Sequence, residues 1–328
     1  MIGANGPYLH QGTFLFHTSI RYLDSSRHFS GTKEQTVRRD FANQVHNEQR
    51  ILDLGFTYAL TDRTSMSLSV PWLMYGSWSI PLPIGPPFQP TETKGPRFKQ
   101  TAEGLGDVVL SARRWMLDPA AHEHANVQFG FGVKAPTGES NYKQAFPDFG
   151  GEKILERSVD QSIQPGDGGW GAVADFQTFY DAEWCTLFAN GTYLANPRNV
   201  NSTLSIGSNL RGAANVDQDV VFNSVPDQYL FRAGLAREVD PVPGLVGYLA
   251  WRVEGVPARD LIGDENGFRR PGYATFLEPG VSYTHENSTW SLSFPWTLQQ
   301  NRVNNHRDVP GDATFADWIL ILGWTVAF

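Results

Sequence analysis

Apolar side chains recur on every second position throughout the chain, and nowhere do 18 of them run together. A membrane-spanning helix needs ~20 consecutive apolar residues, and an amphipathic helix repeats at ~3.6. Period 2 is the signature of a strand with two unlike faces. Phe14, Phe16, Thr18, Ile20 and Tyr22 alternate with Leu15, His17, Ser19 and Arg21; Leu52, Leu54, Phe56 and Tyr58 alternate with Asp53, Gly55 and Thr57. Met66–Trp72, Val127–Val133 and Trp290–Leu298 read the same way. Less regular copies occupy Leu105–Leu117, Gly169–Phe179, Trp184–Leu194, Gln228–Glu238, Leu245–Glu254 and Tyr273–Tyr283. With the closing stretch ADWILILGWTVAF (Ala316–Phe328), the count is twelve. In Trp184–Leu194 we place Cys185, Leu187, Ala189, Gly191 and Tyr193 outward, because the other choice aims Asn190 at the apolar side.

The connections alternate too. Short links lie at Thr61–Thr64, Asp118–Ala125, Tyr180–Glu183, Asp240–Gly244 and Thr284–Ser288. Long polar links rich in Gly and Pro lie at Ser25–Glu48, Tyr75–Glu103, Pro136–Gly168, Asn196–Pro226, Pro257–Gly272 and Gln299–Phe315. This is the pattern of a meander with tight turns at one rim. No linker divides the chain, so residues 1–328 are read as one domain.

A soluble sandwich would bury the apolar faces and clothe the others in charge. The opposite faces here are instead mostly Ser, Gly, Thr and Ala, and charged residues make up only 18% of the chain. Aromatics sit at strand ends (Tyr22, Trp72, Trp296, Trp318, Trp324, Phe328), as two interfacial girdles require. Strands of about ten residues, tilted by ~40°, span a hydrocarbon layer of ~25 Å. Inside that layer every backbone group must be paired, so the sheet must close. The expected fold is therefore all-β: a transmembrane up-and-down antiparallel barrel of about 12 strands, with short periplasmic turns and long extracellular loops. An even count puts both termini at the short-turn rim.

The net charge of -8 excludes a basic nucleic-acid surface. A single cysteine, Cys185, allows neither an internal disulfide nor a cysteine zinc site. MIGANGPYLHQ has no charged and apolar leader pattern, so the chain reads as a mature form.

Several stretches then resemble one family. YALTDRTSMSLSVPW (Tyr58–Trp72), GLGDVVLSARRW (Gly104–Trp115), GFGVKAPTGES (Gly130–Ser140), FLEPGVSY (Phe276–Tyr283) and the terminal GWTVAF are similar to the bacterial outer-membrane barrels of the MetA-pathway phenol-degradation family. The resemblance implies an outer-membrane location and passage of small, often hydrophobic or aromatic, molecules. The terminal Phe resembles the signal read by the outer-membrane assembly machinery, which makes the strand Trp318–Phe328 its expected contact. The family brings no site motif, so no substrate is inherited.

The expected lumen collects His17, Arg21, Asp53, Asp107, Arg113, Lys134, Asp175, Arg232, Arg252, Glu254, Glu278 and Asp317. Of these, Arg21, Asp53, Asp107, Arg113, Lys134, Asp175, Arg252 and Glu278 are the proposed lining of a solute path. The plainer reading is that mixed signs pair into ladders that prop or fill a narrow barrel, since a buried unpaired charge is expensive. Other motifs carry less. RSVDQSIQPGDGGWG (Arg157–Gly171) lacks GxxxxGK[ST]; Asp160 and Asp167 could hold calcium but fit no EF-hand spacing, so a turn entering a strand is favoured. NVDQD (Asn215–Asp219) and His122-Glu123-His124 read as solvated loop and turn. His17-Thr18-Ser19 lacks the orienting third group of a hydrolase, and the remaining histidines, His306 among them, fall mostly in loops or turns. No catalytic residue, metal or cofactor is expected. The functional expectation is a channel or passive transporter contacting bilayer lipids. A scaffolding barrel whose loops bind a protein partner, with a lumen plugged by paired charges, is the alternative; a soluble sandwich comes third and an enzyme last.

Overall fold

The computed structural model describes residues 8–82, 95–305, 307–308 and 311–328. His306, the first residues of the N-terminal stretch and the middle of the Tyr75–Glu103 link lie outside them. Twelve antiparallel strands close into one barrel. They are β1 (Phe14–Ser25), β2 (His46–Thr61), β3 (Thr64–Pro81), β4 (Arg97–Leu105 and Val108–Trp115), β5 (Ala125–Ala135) and β6 (Gly171–Asp181). There follow β7 (Thr186–Ala195), β8 (Gln228–Glu238), β9 (Leu245–Val256), β10 (Gly272–His285), β11 (Ser288–Ser293 and Trp296–Asn301) and β12 (Trp318–Ala327). Each pairs with its neighbours in sequence, and β12 returns to β1 from Leu15↔Ala327 to Asp24↔Trp318. The closing pair leaves no unpaired edge, which is the condition a bilayer imposes.

The faces fall as the alternation requires. Phe129, Phe131 and Val133 on β5, Leu249 and Trp251 on β9, Trp290 and Leu292 on β11 and Leu322 on β12 are exposed, Phe131 by 72%. The inward Ser65, Ser67, Ser111, Gln128, Ser282, Ser293 and Thr325 are buried. Polar residues inside and large apolar ones outside invert a soluble fold, and they remove the sandwich reading. Aromatic rings cluster at both rims. Tyr22 stacks on Trp318 with ring centroids 5.1 Å apart, and Phe14 meets Phe328 at 6.1 Å. On β7 Leu187 is exposed and Phe188 buried, as assigned. Cys185 departs from its outward assignment: it precedes the strand, in the turn, and is buried.

Two strands are interrupted where a backbone donor is missing or diverted. Pro295 has no N–H to give the ladder, and β11 breaks there while Phe294 N–H bonds Pro279 O at 3.0 Å. β4 breaks at Gly106–Asp107, where Gly106 N–H turns to Pro71 O at 2.8 Å.

The Tyr75–Glu103 link needs correction. β3 continues to Pro81 and β4 begins at Arg97, so both strands rise past the barrel as a paired wall. The alternation persists there, with Trp78, Ile80 and Leu82 buried on the inner side; the Gly/Pro-rich residues after Leu82 made the whole stretch read as loop. Against this wall pack Phe146, Val159, Ile163, Ile206 and Leu210. They come from the hairpin Lys143–Phe146/Leu155–Ser158 and the residue that follows it, the turn Gln161–Ile163 and the short helix Ile206–Arg211, which Ser205 caps through Ser208 N–H. The long connections therefore fold inward over the mouth of the barrel and own a small apolar core.

Candidate functional site: the lumen and its outer mouth

The eight residues proposed from sequence all lie on inward pleat positions, or on the break in β4 in the case of Asp107, but they do not form one ring. Arg21 Nε and Nη2 donate to the Asp53 carboxylate at 2.6 and 3.0 Å. Arg113 Nε donates to Asp175 at 2.8 Å and Nη1 to Ser67 Oγ at 3.0 Å. That pair spans an intervening strand, because Gly130 stands in register with both partners. A Cβ at position 130 would come within 2.6 Å of the Asp175 carboxylate, so only glycine leaves room for the bridge. Arg252 and Glu278 join Arg232 and Glu254: Glu278 lies 2.7 Å from Arg232 and 3.6 Å from Arg252, and Arg252 lies 2.5 Å from Glu254.

Asp107 and Lys134 act elsewhere. The Asp107 carboxylate accepts the N–H groups of Gly138 and Asp167, both at 3.0 Å, while Lys134 Nζ holds Asp167 and lies 3.7 Å from Asp107. They pin the loop after β5 over the lumen. Two further inward residues are paired as well: His17 Nδ1 meets Thr325 Oγ1 at 2.9 Å, and Asp317 accepts from Arg27 Nε at 2.7 Å.

Space inside the barrel is divided. A cavity of about 360 Å³ near the short-turn rim is lined by Ser65, Ser67, Arg113, Gln128, Asp175 and Asn190. Tyr8 sits beside it, its ring edge-on to Trp115 and Phe179 at 5.1 and 5.7 Å and its hydroxyl accepting from Asn126 Nδ2 at 3.0 Å. A second cavity of about 580 Å³ lies toward the loops, lined by Pro71, Asp107, Lys134, Asp160, Gln228 and Arg270. Among the described residues, none lines both. Between them β3, β4 and β5 present only Ser69, Ser111 and Gly132, whereas the opposite side is filled by Phe188, Tyr248 and Phe276. The guanidinium groups of Arg232 and Arg252 lie over those rings at 5.7–6.0 Å. The side chains that separate the two cavities are therefore smallest along the β3–β5 wall.

The mouth is closed by loop residues that the sequence reading did not assign. Asp160, fully buried, accepts Arg270 Nη1 and Nη2 at 2.9 and 2.6 Å and the N–H and hydroxyl of Ser162 at 2.9 and 2.6 Å. Arg157–Gly171 does hold a turn, Gln161–Ile163, and enters β6 at Gly171; beyond that reading, the turn is tied to Arg270, and the carboxylates weighed for calcium are engaged by Arg270 and Lys134. Asp217 and Asp219 of NVDQD likewise meet Arg307, at 3.0 and 2.5 Å. A second tie joins His28, Arg38 and Asp312. His28 Nε2 accepts Val45 N–H at 2.9 Å, so its proton sits on Nδ1, which donates to Asp312 at 3.0 Å.

Burial, helped by the charges of Arg38 and Arg270, holds the His28 pKa below its ordinary value despite Asp312. Burial raises Asp312, but the His28 hydrogen bond and Arg38 outweigh it and carry the net shift downward. Both depressed groups stabilise the closed mouth above their ordinary pKa values and lose that contribution as pH falls through the folded ones. Acidification from about pH 6.5, the ordinary histidine value, is therefore expected to loosen the loops, first through His28 and then through Asp312. Limited proteolysis of the loops across a pH series checks this. A flat profile, or a step unchanged in His28→Gln, would sink it.

The fold and these faces define a membrane-spanning up-and-down β-barrel of the outer-membrane type. Among solved structures, an outer membrane channel from Pseudomonas putida F1 matches with a TM-score of 0.60 at 14% identity, covering 98% of this chain and 97% of that one. Looser likenesses are a FadL homologue of Pseudomonas aeruginosa (TM-score 0.43, 10% identity, 97% and 90% covered) and the toluene transporter TodX of P. putida (0.44, 9%, 99% and 91%). No family model matches the chain, and no curated protein matches it in sequence.

Proposed function

We propose that the chain is an outer-membrane channel that passes small molecules, hydrophobic or aromatic ones among them, without a chemical step. The observation that carries the reading is the pair of cavities along a lipid-facing barrel, separated on one side only by Ser69, Ser111 and Gly132. The eight proposed lining residues then have three tasks. Arg113 and Asp175 border the inner cavity, Asp107 and Lys134 hold the loop that borders the outer one, and Arg21, Asp53, Arg252 and Glu278 fix the width between. The resemblance to the MetA-pathway phenol-degradation barrels and the likeness to a solved outer membrane channel support the same reading. The terminal strand Trp318–Phe328, with Phe328 exposed at the short-turn rim, is the segment offered to the assembly machinery.

A scaffold reading is favoured by one observation: the lumen charges are paired with one another, and the two cavities share no lining residue. In it the long loops carry the function by binding a protein partner. Planar-bilayer recordings decide between the two. The channel reading expects discrete conductance steps and uptake of small aromatic solutes by liposomes containing the barrel. Silence in both assays, with a heat-modifiable folded band on gels, would leave the scaffold.

A further inference from the structure

Among the described residues four arginines are buried: Arg38, Arg252, Arg269 and Arg302. Arg38 is held by Asp312, Arg252 by Glu254 and Arg269 by Asp260 at 2.7 Å. Arg302, only 5% exposed, has no carboxylate within ion-pair distance among the described residues. Its Nη1 donates to Arg270 O at 2.6 Å, its Nη2 donates to Thr314 O, and its guanidinium lies against the Phe315 ring. Nε has no partner. Carbonyl oxygens satisfy N–H groups but do not neutralise charge, and a buried charge without a counter-charge is costly. Burial, and after it the charge of the neighbouring cation Arg270, push the guanidinium well below its ordinary pKa range.

Arg302 also faces open space. It lines both the outer lumen cavity and a further cavity of about 520 Å³ among the loops. The second cavity has apolar walls from Trp78, Ile80, Leu210, Val220 and Phe268. Pockets of roughly 300–1,000 Å³ with apolar walls and one or two placed polar groups are the common form of small-molecule sites. Of the carboxylates that also line it, Asp312 is engaged by Arg38 and His28 and Asp217 by Arg307, and neither is within ion-pair distance of Arg302.

We propose that the loop cavity at Arg302 binds a small organic carboxylate with a hydrophobic body, such as an aromatic acid, whose carboxylate supplies the counter-ion that the chain does not. The proposal deepens the channel reading by naming a solute class at the outer mouth, and it rests on that reading for any role in permeation. Binding itself needs no conduction.

The full chain in detergent micelles is titrated with benzoate, benzamide and acetate, followed by calorimetry and by the fluorescence of tryptophan, Trp78 being in the cavity wall. Benzoate is expected to bind at least about tenfold more tightly than the neutral benzamide, because only it removes the unpaired charge, and more tightly than acetate, which lacks the ring. Arg302→Met is expected to erase the benzoate preference and Arg302→Lys to keep most of it. Equal binding of benzoate and benzamide to the unaltered chain overturns the proposal even where Arg302→Met fails to fold. An unchanged preference in a folded Arg302→Met barrel overturns it as well. Potassium chloride conductance of the same preparation separates the two readings. Conductance without benzoate preference removes the site and leaves the channel; preference without conductance removes the channel and leaves the site.

Discussion

Replacing Glu278 by leucine is expected to destabilise the barrel by ~3–5 kcal/mol, the usual cost of removing one partner from a buried ion pair. Glu278 is 2% exposed and stands between Arg232 and Arg252. Without it Arg252 retains Glu254, but Arg232 is left over the rings of Phe188 and Tyr248 with no carboxylate. A cation over an aromatic face gains ~0.5–2 kcal/mol, too little to offset that loss. Because the surroundings are apolar, Arg232→Met combined with Glu278→Leu is expected to regain most of the stability, as buried ion pairs often exchange for apolar packing without loss. Urea unfolding in lipid vesicles, read by tryptophan fluorescence, measures both. A single variant within about 0.5 kcal/mol of the parent, a change typical of surface sites, would show that this cluster does not hold the wall.

The barrel was legible because a bilayer imposes two visible constraints, an outward apolar row and a closed sheet. Both act on residues near in sequence, so the parity of Phe129, Phe131 and Val133, or of Trp290 and Leu292, fixes every inward position on those strands. The lumen residues were read from parity alone. Their partners did not follow. That Arg113 reaches Asp175 depends on Gly130 being bare, a three-strand relation that no single segment reveals. The mouth was less legible still. Arg270, Arg302, His28, Asp312 and Asp160 come from connections that look alike in composition, and their meeting depends on loops folding over a wall that continues past the membrane. One signal was present: Trp78, Ile80 and Leu82 carry on the period-2 alternation beyond the length a bilayer needs.

The second large effect is expected at that mouth. Asp160→Asn keeps the shape of the side chain and removes its charge, so the two-pronged bond from Arg270 is lost and Arg270 is left without a carboxylate. Asp160 is buried, and burial raises its pKa; Arg270 and the Ser162 hydrogen bonds outweigh burial and bring the net shift downward, so the ionised form is the one that ties the loop. Losing about 3 kcal/mol from a buried pair changes the ratio of open to closed loop by about a hundredfold. Segments at the low-stability end of a structure open locally without unfolding the rest, and the barrel strands do not depend on this tie. The variant is therefore expected to keep its thermal stability while single-channel recordings show longer open times and fewer closures. Arg270→Ala should reproduce the effect, and the double variant should add little, since both remove one interaction. Asp217→Asn, which touches the exposed Arg307 pair, should leave the recordings as they were, because exposed ion pairs contribute little. Gating unchanged in a folded Asp160→Asn barrel would place the gate elsewhere, between the two cavities beside Ser69, Ser111 and Gly132.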